Sequence, residues 1–224
     1  MSVRHHETSE AVQDYAKAIW SLAQRDDEAV STSAIAERLD VSAASASAMV
    51  KRLESMGLVE REPYHGVKLT PAGERVALEV VRHHRLLELY LAEALGMSWD
   101  RVHEEAEVLE HAISPALSEL IATKLGNPTH DPHGDPIPTA EGKIDEVPTF
   151  PLAELDTGAR GLFVRVSDSD PDMLRYLAER GIAPGDRFEV IAREPFDGPL
   201  TVEFAGEPHV LGGALPKAMR TVPL

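Results

Sequence analysis

The 224-residue chain allows one large domain or two to three small ones, each with a modest core. It is 43% hydrophobic but only 5% aromatic, an ordinary soluble composition with few stacking platforms for single-stranded nucleic acid. A net charge of −16 argues against non-specific nucleic-acid binding by the whole surface, and the lack of cysteine excludes disulfides and thiolate metal sites. No apolar run approaches the roughly 18 residues a membrane span needs, and no signal peptide is read at the start. A cytoplasmic protein is expected, without a membrane partner. The acidity is uneven: −3 over residues 1–70, −8 over 71–145 and −5 over 146–224.

Residues 1–8 read as a polar tail, with His5 and His6 part of it. Ser9 can cap a helix running to about Ala23, with Val12, Ala16, Ile19 and Ala23 as its buried stripe. Asp14, near the start of that helix, taken alone is a favourable charge at the positive helix end. Thr32 to Leu39 predicts a short helix and Asp40-Val41-Ser42 a turn. Ser42 then caps a second helix from Ala43 to Met56, which makes a helix-turn-helix. The first turns of that second helix carry small side chains. Ser42, Ala44, Ser45 and Ser47 can therefore approach base edges closely, with much of the specificity left to DNA shape, water and thymine methyl contacts. Gly57 ends the helix, and two short strands, Leu58 to Glu62 and Val67 to Leu69, flank a turn at Pro63-Tyr64-His65-Gly66. Lys51, Arg52, Arg61 and Lys68 supply positive charge suited to phosphates. The pattern predicts a winged helix-turn-helix.

Thr70-Pro71 is a cap followed by an N1 proline, and the helix it opens runs to about Leu95 with apolar residues on more than one face. Such a helix is deeply buried or shared with a partner. Ser98 is read as the cap of the next helix, and Ser114-Pro115 starts a third that ends at Gly126. Residues 126–151 are rich in Pro, Gly, Asp and His and read as a linker, with His130, Asp131, His133 and Asp135 taken as polar turns. Beyond them come short strands at Leu162–Val166, Arg187–Ala192, Leu200–Phe204 and His209–Leu211, with a helix at Pro171–Arg180 and turns at Asp197-Gly198 and Ala205-Gly206. These predict a small β-barrel. The fold class expected is mainly α with a small all-β domain. Its divisions are 1–72 (winged helix-turn-helix), 73–143 (helices for metal binding and dimerisation) and 144–224 (linker and barrel).

The chemistry concentrates at His103 to His111, His-Glu-Glu-Ala-Glu-Val-Leu-Glu-His. On a helix, Glu107 falls at roughly 40° from His103, Glu110 at about −20° and His111 near 80°, so four metal-competent side chains share one arc. Val102, Ala106, Leu109 and Ile113 form the packing stripe beside it. A glutamate-rich helix face is ordinarily just solvated. Here the arc borders a packed face, where unpaired carboxylates are costly and a divalent cation neutralises them. His84 and Glu88, one turn apart, offer a second half-site. Enzyme readings fail on spacing: Glu107 stands where a His-Glu-x-x-His zinc hydrolase needs its second His, and neither Glu88 nor Glu107 begins a Glu-x-x-His di-iron pair. There is no Gly-x-Ser-x-Gly elbow, Walker loop or Gly-x-Gly-x-x-Gly fingerprint, so no enzyme is expected.

The order of winged helix, helical ligand region and small barrel resembles the diphtheria toxin repressor family of metal-dependent transcriptional regulators. The resemblance is carried by Asp14-Tyr15, by Arg82-His83-His84-Arg85-Leu86-Leu87-Glu88, by residues 102–111 and by Asp135-Pro136-Ile137-Pro138. It implies an SH3-like, FeoA-type barrel and a homodimer that represses metal-homeostasis genes by binding palindromic operator DNA. It implies two ions per subunit: a primary site of Asp14, Glu107, Glu110 and His111, and an ancillary site of His84, Glu88 and His103 to which the barrel lends Asp170 or Asp172. The family's iron-responsive branch has Met and Cys where this chain has Asp14 and Glu107. The harder set here resembles the manganese-responsive branch, so Mn²⁺ is expected, with Fe²⁺ as the alternative metal. Some short members of that branch have Glu where Lys17 stands here and hold a closely spaced metal pair, an arrangement Lys17 argues against. A metalloenzyme using the same cluster, or a regulator answering an organic ligand, are the competing classes.

Overall fold

The computed structural model describes residues 9–26, 29–62, 66–196 and 198–224. The expected tail with His5 and His6, the Pro63-Tyr64-His65 part of the wing turn, and Asp197 lie outside them. The chain forms two compact units. The first comprises Met1–His83, Glu110–Ile113 and Pro138–Lys143; the second comprises His84–Leu109, Ser114–Ile137 and Ile144–Leu224.

In the first unit, helices α1 (Glu10–Asp26), α2 (Thr32–Arg38) and α3 (Ala43–Ser55) precede strands β1 (Val59–Glu62) and β2 (Gly66–Leu69) and the opening of α4 (Pro71–Leu95). Ser31 and Ser42 cap α2 and α3, their hydroxyls accepting from the amides of Ala34 and Ser45. The turn between the two helices needs Asp40 at φ +50°, a conformation Asp tolerates. Val12, Ile19, Ile35, Val50, Leu53, Val59 and Val67 close one core under the helices and the hairpin. The hairpin has a third member that was not expected: Val30 bridges Val67. Gly66 permits that approach, since a Cβ there would lie 2.2 Å from the Val30 carbonyl oxygen. These elements are the predicted winged helix-turn-helix.

The second unit holds the rest of α4, α5 (Val102–Leu109), α6 (Pro115–Lys124), β3 (Phe150–Pro151), β4 (Arg160–Val166), α7 (Pro171–Ala178), β5 (Arg187–Arg193), β6 (Leu200–Phe204), β7 (Glu207–Leu211), α8 (Leu215–Ala218) and β8 (Met219–Pro223). The strands make one antiparallel sheet in the order β3-β8-β4-β5-β6-β7. Its interior is built on Leu152, Phe163, Leu174, Val190, Val202, Phe204 and Met219.

Two expectations are corrected here. The sheet is not a closed barrel: among the described residues β3 and β7 remain edges, and β3 is two residues long with a proline that has no amide to donate. Register shifts in the β4–β8 and β5–β6 ladders let the strands bend without closing. The helix read from His103 through His111 ends at Leu109, with Glu110 and His111 in a turn. Its start is also later than Ser98 suggests, at Val102. Pro115 shapes the far side of that turn: Ser114 before it is extended (φ −80°, ψ 156°), caps α6, and cannot continue a preceding helix. The shared arc of four ligands therefore does not exist as a helical face.

Candidate metal centre

Among the described residues of the first unit, Asp14, Glu110 and His111 form a cluster of ligating side chains. Helix α1 presents Gln13, Asp14 and Lys17, which one helical turn puts on a common face. The turn after α5 presents Glu110 and His111. Nδ1 of His111 lies 2.6 Å from Gln13 Oε1. An amide oxygen only accepts, so Nδ1 is the donor of that bond. The ring's Nε2 faces two carboxylates, Asp14 Oδ1 at 2.9 Å and Glu110 Oε1 at 3.5 Å. Asp14, Glu110 and His111 thus bring two carboxylates and an imidazole nitrogen together, a donor set that could hold a divalent cation. The Glu110 side chain is completely buried, and its two oxygens accept from Lys17 Nζ at 2.9 and 2.7 Å. His83, held neutral by burial, donates from Nδ1 to the Glu110 carbonyl at 3.2 Å and so anchors the turn.

The second unit holds another cluster. His84 Nε2 is 3.0 Å from Glu88 Oε1 and 3.1 Å from His103 Nδ1, and His103 Nδ1 is 3.3 Å from Glu88 Oε1 and 2.9 Å from Asp168 Oδ2. Adjacent ligands of an octahedral ion with bonds of about 2.1–2.3 Å are themselves about 3.0–3.3 Å apart. The imidazole and carboxylate donors of His84, Glu88, His103 and Asp168 already have that spacing, so the residues fit a hard divalent ion. With no ion, the protonated imidazole carries the charge: hydrogen bonds to Asp168 and Glu88 push His103 up to about 10. Burial would raise Glu88, but the charge of His84 and hydrogen bonds from His103 and His84 outweigh it and hold the carboxyl well below its usual range. Asp168 is likewise lowered, its burial outweighed by His103. Glu107 belongs to this unit, half exposed, with Oε1 3.7 Å from His103 Nε2 and 3.9 Å from His84 Nδ1.

The barrel-side residues differ from those expected. Asp170 is the N-cap of α7, accepting from the amides of Asp172 and Met173, while Asp172 is exposed and pairs with Arg175. Asp168, two residues earlier, is the one beside His103. The linker reading also missed two groups. His133 is fully buried, donates from Nε2 to the Trp99 carbonyl at 2.7 Å, and turns its unpartnered Nδ1 toward Glu88 Oε1 at 3.9 Å. Glu88 Oε2 is also buried without a partner. Asp131 joins Glu88 and His133 in a third set of close donors, and burial followed by repulsion from Asp135 raises its carboxyl. Gly134 (φ +88°) is what lets this loop press on β4, since a Cβ would sit 1.9 Å from the Val164 carbonyl oxygen. The Val166 amide then bonds the His133 carbonyl.

The residues expected to contact DNA, Ser42, Ala44, Ser45, Ser47, Lys51, Arg52, Arg61 and Lys68, are all exposed. Arg61 and Lys68 have local acidic partners in Glu54 and Glu62, at 3.0 and 2.9 Å.

Residues 7–67 match the N-terminal DNA-binding domain of the iron-dependent repressors, residues 70–139 match their metal-binding and dimerisation domain, and residues 150–215 match the FeoA domain. The iron-dependent repressor IdeR of Mycobacterium tuberculosis is 33% identical over 189 residues, covering 79% of this chain and 81% of that repressor. The chain belongs to the iron-dependent repressor family. The diphtheria toxin repressor of Corynebacterium diphtheriae is 30% identical, covering 77% of this chain and 80% of its own length. Among solved structures, a manganese-dependent transcriptional repressor in complex with manganese is 45% identical with a TM-score of 0.89, over 95% of this chain and all of that one. The manganese regulator SloR is 33% identical with a TM-score of 0.74, over 95% of this chain and 98% of that one. The family is one of metal-dependent transcriptional repressors rather than enzymes, which removes the metalloenzyme reading.

Proposed function

We propose that this chain is a Mn²⁺-activated homodimeric repressor that binds palindromic operator DNA of metal-homeostasis genes in the cytoplasm. The observation carrying the choice of metal is the donor set: Asp14, Glu110 and His111 in one cluster, His84, Glu88, His103 and Asp168 in the other, with no sulfur in either. Hard oxygen and imidazole donors suit manganese better than a sulfur-bearing site would. The relative with the highest TM-score among those named above is also a manganese-dependent repressor. Iron is the second reading, favoured by the names of the 33% identical relatives.

Two ions per subunit are proposed, the first held by Asp14, Glu110 and His111, the second by Glu88, His103 and Asp168 with His84, Asp131, His133 and Glu107 (expected in the first set) at hand. The functional division proposed is 1–72 for DNA, 73–143 for metal and dimerisation, and 144–224 for linker and FeoA-type domain. When bound, a divalent cation supplies the positive charge that the first cluster's carboxylates need. The rest is the work of the chain's own residues. Asp14 and Gln13 grip His111 from α1, and the docking of α1 sets the attitude of α2 and of α3, whose first turns bear the serines proposed to face DNA. An equilibrium between docked and loosened α1 shifts only by the ion's preference for the docked form; a hundredfold preference gives about 2.7 kcal/mol. Fluorescence anisotropy on a palindromic promoter, titrated with Mn²⁺, Fe²⁺ and Zn²⁺ at fixed salt, tests the reading. Mn²⁺ should stimulate binding by the wild type and not by Asp14→Ala. Equal stimulation of the variant would refute the role given to Asp14.

A further inference from the structure

We propose that Lys17 is a resident cation of the first cluster, neutralising Glu110 while the site is metal-free and giving it up when a divalent ion binds. The inference rests on the metal-binding reading above and concerns how that site is regulated. Glu110 has no solvent access, and a buried carboxylate without a countercharge is strongly unfavourable. Both of its oxygens point at Lys17 Nζ, at 2.9 and 2.7 Å. These are the atoms an ion shared with Asp14 and His111 would require. Neither of those residues replaces the ammonium: His111 Nε2 is 3.5 Å away and directed at Asp14. Lys17 itself keeps 14% of its side chain in contact with solvent. Its head can withdraw to water along a flexible stem without moving the backbone of α1.

An ammonium and a divalent ion on the same carboxylate repel, so their occupancies are coupled, and by linkage each weakens the other equally. Two consequences follow for regulation. The metal-free cluster stays satisfied rather than electrostatically frustrated, so the unloaded repressor remains folded. The threshold at which metal activates it is set higher than the donor set alone would give, because Lys17 must first be displaced.

The test uses the full-length chain, stripped of metal and titrated with Mn²⁺ by calorimetry, as wild type, Lys17→Gln and Lys17→Arg. Removing the charge should tighten the first-cluster affinity by roughly ten- to a hundredfold, the usual span of such couplings. Lys17→Arg should weaken it, because a guanidinium forks onto both carboxylate oxygens. Since Lys17→Gln removes a positive charge from beside a buried carboxylate, a second measurement uses the wild type alone: the rate at which an amine acetylating reagent modifies Lys17, read by peptide mass spectrometry. Manganese should accelerate it several-fold. Unchanged or weaker binding by Lys17→Gln, or labelling that manganese leaves unchanged or slows, overturns the exchange while leaving the metal site intact. A wild type that takes up no Mn²⁺ overturns both.

Discussion

Replacing Asp168 by Asn tests the contact through which the FeoA-type part of the chain reaches the helical ligands. The substitution keeps the shape and removes the charge lying 2.9 Å from His103 Nδ1. Asp168 is the largest reason that His103 sits near 10 instead of near its usual value. Losing it should lower that value. One unit is worth about 1.4 kcal/mol, and with the imidazole 30% exposed a discounted loss of about 1–2 kcal/mol of metal-free stability is expected.

The pH dependence gives the argument its sign. A histidine whose folded pKa is raised contributes stability that is fully present below its unfolded value, near 6.5, and is lost as pH climbs through about 10. Urea unfolding of metal-free wild type and Asp168→Asn should therefore differ most at pH 5.5 and converge only above about pH 10. Nuclear magnetic resonance titration of His103 gives the matching microscopic shift. A deficit that is the same at pH 5.5 and pH 10.5, or absent at pH 5.5, would refute the reasoning. The same proton opposes metal: Mn²⁺ needs neutral imidazole, so uptake at this cluster should release a proton and weaken as pH falls from 8 to 6.

Gly134→Ala must place a Cβ against the Val164 carbonyl at a backbone φ of +88°. A melting-temperature loss equivalent to about 2 kcal/mol or more is expected, together with weaker metal binding by the loop that carries Asp131 and His133. Gln13→Ala removes the acceptor of the His111 Nδ1 bond, and calorimetry should show Mn²⁺ affinity down by about ten- to a hundredfold with little change in metal-free stability. Lys51→Ala, on the exposed face of α3, should weaken all DNA sequences alike and lower the slope of log affinity against log salt by about one.

Much of the fold was legible because its signals are local. Serine caps at Ser42 and Ser114, the glycine stop at Gly57 and the stripe of α1 are decided within a few residues, and the structure follows them. What was missed depends on partners distant in sequence. Strand β8, Met219–Pro223, lies between β3 and β4 in the sheet, yet its five residues offer too short an alternation to announce a strand. The Val30–Val67 bridge is one residue wide and carries no periodicity at all.

The ligand clusters show the same division at finer grain. His84 and Glu88 could be paired from spacing, because α4 really is a helix there and one turn brings them to 3.0 Å. The run from His103 to His111 misled, because a periodicity argument assumes the helix continues and Ser114-Pro115 shortens the room it has to do so. For Asp168 a usable signal did exist. In Asp168-Ser169-Asp170-Pro171-Asp172 the proline marks N1, so Asp170 is committed to the cap and Asp172 to the first turn. Only Asp168 is left at the end of β4 to meet another element. His133 had no such signal. Its loop is polar by composition, and burial comes from the close approach Gly134 permits and from the Trp99 carbonyl 34 residues away. A residue in a proline- and glycine-rich loop reads as solvated until the backbone that covers it is known.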